Sequence, residues 1–114
     1  MGKINAKRKG SRGENELAEK LRGYGYDAHR GQQFQGGPDS PDVYGLPGVH
    51  IECKRVERLN IMEAYQQAER DAQGLRIPAV FHRRNRGKWM VTLSLDDFME
   101  IYKAWQKDEC SQKQ

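Results

Sequence analysis

The sequence predicts an α/β fold: a single domain with a central mixed β-sheet flanked by helices, in the order α-β-β-β-α-β-β-α. Three observations predict it. The 114 residues suit one hydrophobic core, since domains of this size are usually undivided. Apolar residues recur at helical spacing in three separate segments. Between those segments lie short, partly β-branched runs bounded by Gly and Pro turn signals.

Ser11 and Glu14 have the spacing of a capping box, and Leu17, Ala18 and Leu21 then form one helical face before Gly23 and Gly25 end the pattern. Tyr26 to Arg30 reads as a short strand, and Gly31 to Pro41 as a loop rich in Gly, Gln and Pro. Asp42 to Leu46 and Val49 to Lys54 read as strands joined at Pro47-Gly48. Asn60 and Glu63 repeat the capping-box spacing ahead of a stripe of Ile61, Ala64, Tyr65, Ala68, Ala72 and Leu75, a second helix ending near Gly74. Pro78 to His82 and Trp89 to Leu93 form a second hairpin around the basic turn Arg83 to Lys88. Ser94, three residues before Asp97, caps a last helix with a face of Phe98, Ile101, Tyr102 and Trp105. The expected organisation is a flexible basic arm over 1–10, a globular domain over 11–106 and a polar tail over 107–114.

Composition narrows the function classes. The 36% apolar residues, with 12 glycines besides, suffice for a core, and the 32% charged residues solvate its outside. No apolar run approaches the ~20 residues of a membrane span, and the basic start lacks the apolar stretch of a signal peptide. Two cysteines cannot build a disulfide framework, so a reduced cytoplasmic protein is expected. The three histidines are far apart in sequence and no closely spaced cysteine pair joins them, which speaks against zinc.

The net charge of +4 is unevenly spread. Lys3, Lys7, Arg8, Lys9 and Arg12 stand without an acid in residues 1–12, and Arg76, Arg83, Arg84, Arg86 and Lys88 without one in 76–88. Residues 39–75 carry seven acids against four bases. The flanks read either as a solvated surface or as contacts for a polyanion, through counterion release from phosphates.

The chemistry centres on Val49-His50-Ile51-Glu52-Cys53-Lys54. Strand alternation sends Ile51 and Cys53 to one face and Glu52 and Lys54 to the other. The preceding strand begins at Asp42, so two carboxylates and a lysine can converge, with Asp39 as the rival aspartate. A plain two-residue loop at Pro47-Gly48 would set Asp42 opposite Cys53, on the wrong face, so the site requires an odd loop or a bulge. Oxygen ligands of this kind suit Mg²⁺, with Mn²⁺ substituting, and the metal would polarise a phosphate and lower the pKa of a bound water. Lys54 would orient that water or stabilise developing charge. Glu14 shares the apolar face of the first helix, either completing its capping box or serving as a third metal carboxylate.

Lys9-Gly10-Ser11-Arg12-Gly13-Glu14 before a helix, a Gly-rich loop ending Pro41-Asp42, then Glu52-Cys53-Lys54 resemble the PD-(D/E)xK nucleases, and more narrowly the archaeal-type Holliday junction resolvases and their phage relatives. The resemblance covers residues 8–93. It implies a restriction-endonuclease-like nuclease domain in which Glu14, Asp42 and Glu52 hold the metal and Lys54 is the motif lysine. It further implies a homodimer with one site per subunit, nicking opposed strands of a four-way junction and leaving 5′-phosphate ends, without a small-molecule cofactor. Gln67 or Gln66 matches a glutamine found near the site in many such enzymes. On that reading Arg8, Lys9, Arg12, Arg30, Arg55, Arg83 and Arg84 contact phosphates, and none reads bases. Trp89, Phe98, Tyr102 and Trp105 suit a core or a dimer contact better than base stacking. Action on flaps, nicks or duplex, and a non-catalytic nucleic-acid-binding module, are the alternatives.

Overall fold

A computed structural model of the chain describes residues 2–31 and 41–113, the side chains of 2–9 and 110–113 excepted. The elements follow the predicted order: α1 (Gly2–Gly23), β1 (His29–Arg30), β2 (Val43–Tyr44), β3 (Val49–Arg55), α2 (Ile61–Ala72), β4 (Ile77–Arg83), β5 (Met90–Thr92) and α3 (Leu95–Lys113). The strands form one sheet in the order β1-β2-β3-β4-β5. Only β3 and β4 pair in parallel, in register from Val49↔Ile77 to Arg55↔Arg83, and α2 makes the crossover between them. The other neighbours are antiparallel.

Both later helices start where capping side chains place them. Glu63 N–H donates to Asn60 Oδ1 at 3.1 Å, and Asp97 N–H to Ser94 Oγ at 3.1 Å. The first helix differs from expectation: α1 begins at Gly2, so Ser11 lies inside it and the Ser11–Glu14 pair is not a cap. Ala6, Lys7, Arg8 and Lys9 are strong helix formers with no proline among them, which lets the helix run on toward the N-terminus. The boundaries drawn at residues 10 and 106 fall within α1 and α3 respectively.

Helices cover both faces of the sheet. On one, Leu17, Ala18 and Leu21 of α1 pack with Val43, Ile51, Cys53, Ala79 and Phe81. Gly13 permits that approach, since a Cβ there would lie 2.5 Å from Arg55 Cβ. On the other, Ala64 and Ala68 of α2 pack on Val80, small side chains holding the helix close to the strands. Among the described residues no helix is long and apolar enough to cross a membrane.

The β2–β3 connection fixes the register on which the site depends. Val49 N–H donates to Leu46 C=O at 3.0 Å, and Gly48 (φ +90°) follows Pro47, the arrangement of a type II turn. Gly45 (φ +132°) abuts β1 so closely that a Cβ would lie 2.5 Å from Ala28 Cα. Val43 pairs with Ile51 and the Asp42 N–H also bonds Ile51 C=O at 2.9 Å, so the register does not set Asp42 opposite Cys53. The odd connection required above is therefore present.

Candidate active site

Strand β3 is central in the sheet and carries the chemistry on one side and packing on the other. Ile51 and Cys53 enter the α1-side core, while His50, Glu52 and Lys54 project to the α2 side by strand alternation. Burial pushes the Cys53 thiol above its usual range, which suits a packing residue and not a nucleophile.

Asp42 stands at the start of β2, where the backbone ladder gives way to a side chain. Its N–H donates to Ile51 C=O at 2.9 Å, and its Oδ2 accepts the Cys53 N–H at 2.8 Å in place of a ladder carbonyl. Burial raises its pKa to about 6, against the lowering effect of the Cys53 N–H; the charges of Glu14 and Asp71 add to the rise and Lys54 opposes it. Glu52 is raised to about 7, first by burial and then by Asp42, with Lys54 opposing and Asp71 adding. Lys54 Nζ lies 3.6 Å from Glu52 Oε2. A half-buried carboxylate, Asp42, and a buried one, Glu52, thus face one ammonium, a site short of positive charge.

Two further groups belong to this cluster. One ligand atom each from His50, Glu52 and Asp71 lie within 4.8 Å of one another, with His50 and Glu52 buried and Asp71 half-buried. Both had readable signals. His50 precedes Glu52 by two residues, which alternation puts on the same face, and Asp71 follows Ala64 and Ala68 by seven and three, an acid in the apolar stripe of α2. Their convergence depends on how α2 crosses the sheet, and no local pattern encodes that.

Glu14 is buried on α1, only 5% exposed. Arg30 Nε of β1 lies 2.8 Å from its Oε1, and its charge still reaches Asp42. Gln67 is exposed on α2, one helical turn before Asp71. Asp39 lies outside the described residues. Among the expected phosphate contacts, Arg12 and Arg84 are exposed. Arg55 Nε lies 3.5 Å from Glu16 Oε1, and Arg83 bonds both that oxygen and Gly87 C=O, the latter at 2.7 Å. Arg8 and Lys9 lie in α1, with side chains outside the described residues.

Carboxylates with one imidazole fit a divalent cation: Asp42 and Glu52 offer oxygen, their pKa values are raised first by burial and then by neighbouring carboxylates, and such donors suit Mg²⁺ or Mn²⁺. A mixed sheet presenting an aspartate opposite an E-x-K strand is the arrangement of the PD-(D/E)xK nucleases. The family model described as "Phage putative PDDEXK endonuclease" matches residues 5–113, and the chain belongs to that family. No curated protein matches it.

Proposed function

We propose that the protein is a Mg²⁺-dependent, structure-selective DNA endonuclease, a Holliday junction resolvase that nicks opposed strands of four-way junctions during phage recombination in the host cytoplasm. It acts as a homodimer with one site per subunit. The observation that carries the nuclease reading is Asp42 close enough to act on the charge of Glu52, with Lys54 3.6 Å from Glu52.

Asp42 and Glu52 hold the cation, with Glu14 behind Asp42, and Mn²⁺ can replace Mg²⁺. When bound, the cation supplies positive charge against the scissile phosphate and makes water a better nucleophile. Lys54, drawn toward Glu52, orients the attacking water and stabilises charge developing on the phosphate. Asp42 is held in place by the Cys53 N–H. Arg12 and Arg84, both exposed, contact the DNA backbone and leave base identity unread. The preference for junctions rests on the resolvase resemblance.

The test incubates the protein with end-labelled four-way junction, flap and linear duplex in Mg²⁺, Mn²⁺ or EDTA, beside Glu52→Gln. Paired symmetric nicks confined to the junction, lost in EDTA and in the variant, are expected. Equal cutting of duplex or flap would replace the resolvase by a general nuclease. Binding without cutting in either metal would make the protein a binding module.

A further inference from the structure

Helix α3 presents an apolar face that its own chain leaves bare. Leu95 is 73%, Phe98 47% and Trp105 56% exposed, and Ile101 and Tyr102 lie between them on the same face. The aromatic rings stack along the helix, Phe98 to Tyr102 at 6.3 Å and Tyr102 to Trp105 at 5.6 Å. Among the described residues α3 packs broadly against no other element, and the molecule extends 60 Å along one axis against 28 and 26 Å across. Five large side chains of roughly 150–250 Å² each, about half exposed, leave on the order of 500 Å² of apolar surface, the size of patch that often marks an interaction site.

A groove on the same chain has the matching deficiency. Helix α1 covers the β1–β3 part of its face of the sheet, and beyond it a groove runs between α1 and the β4–β5 hairpin. Leu17, Leu21, Tyr24, Phe81, Trp89 and Val91 line it. Leu17, Leu21 and Phe81 are core residues and Trp89 packs against them, so the groove is an open side of the core itself. Its rim adds Lys20, Arg83 and Lys88 against Glu16 and Glu19, a positive balance. Helix α3 has the opposite balance, with Asp96, Asp97, Glu100, Asp108 and Glu109 against Lys103, Lys107 and Lys113.

We infer that the groove receives α3 of a second copy of this chain, in a reciprocal exchange that buries both α3 faces and both grooves. Shape and charge select this occupant. An apolar helix fits an apolar groove, and the acidic helix suits the basic rim and repels DNA. The two helices together bring on the order of 1,000 Å² of apolar surface to the reciprocal contact, the size at which a specific two-fold interface begins. The family match runs to residue 113, so α3 is part of the family's unit. This inference supplies the contact for the dimer proposed above, and it is tested without DNA.

The experiment measures molar mass by light scattering over a dilution series, for wild type and two double variants. One spoils the helix (Phe98→Glu with Trp105→Glu) and the other the groove (Tyr24→Glu with Val91→Glu). All four positions are exposed, so both variants are expected to keep their circular dichroism. Wild type is expected at twice the mass of one chain, each variant at the mass of one chain, and an equimolar mixture of the variants to recover dimers, since it retains one intact helix and one intact groove. Single-chain mass for wild type at every concentration overturns the inference, as does a groove variant that stays dimeric, which would mean α3 packs on α3. A mass change seen only on adding DNA overturns it too, assigning the face to nucleic acid. If a double variant unfolds, Tyr24→Glu and Phe98→Glu alone carry the same mixing test.

Discussion

At the scale of single residues the site is defined by what burial does to two carboxyl groups. Asp42 and Glu52 have ordinary values of 3.8 and 4.5 and stand at about 6 and about 7 in the folded chain. The metal-free folded state therefore binds protons more tightly than the unfolded chain, and its stability falls as pH rises from about 4 to about 7, then levels. Thermal melts of metal-free protein across that range are expected to show the decline, and Glu52→Gln to flatten about half of it. Added Mg²⁺ is expected to raise the melting temperature more above pH 7 than below pH 5, because protons and cation compete for the same oxygens. On activity, Glu52→Gln is expected to lower single-turnover nicking by about a hundredfold or more while leaving the dichroism unchanged. A variant that nicks at the wild-type rate would remove Glu52 from the chemistry.

At the scale of elements the decisive piece is the β2–β3 connection. Gly45→Ala forces a side chain into a left-handed conformation and against Ala28, at an expected cost of about 1–3 kcal/mol in denaturant unfolding. It is also expected to impair nicking beyond that loss, since the register that brings Asp42 to β3 depends on the same turn. Helix α2 contributes in a different way: Asp71→Asn is expected to weaken Mn²⁺ binding by about tenfold in calorimetric titration, with the fold intact. Much of this was legible beforehand. The Asn60 and Ser94 caps, the alternation in β3 and all five strands follow from local spacing, because each reflects contacts within a few residues. The start of α1 was misread because a good capping box at Ser11 looks the same whether or not helix precedes it. Arg30, Arg55 and Arg83 read as phosphate contacts in the sequence and face Glu14 and Glu16 in the fold, and no local pattern brings Asp71 to His50 and Glu52. These meetings join residues on different elements, and only the packing of helix on sheet creates them.

At the scale of the whole molecule, charge and topology act together. The net charge of +4 and exposed bases such as Arg12 and Arg84 predict junction binding that weakens steeply with salt, by about tenfold or more between 50 and 200 mM. Arg12→Ala and Arg84→Ala are each expected to flatten that dependence in a binding titration without altering single-turnover nicking at saturating protein. The sheet order has a separate consequence for motion. β3 has strands on both sides and a helix over each face, so hydrogen exchange at Ile51 and Glu52 requires the chain to unfold as a whole. Cys53, by contrast, is tied through its N–H to the carboxylate of Asp42, at the start of a two-residue strand beside the sheet's edge. One half of the proposed metal-binding pair keeps the slow clock of the core and the other the fast clock of the periphery, so the pair is expected to part and rejoin many times within the lifetime of a single folded molecule.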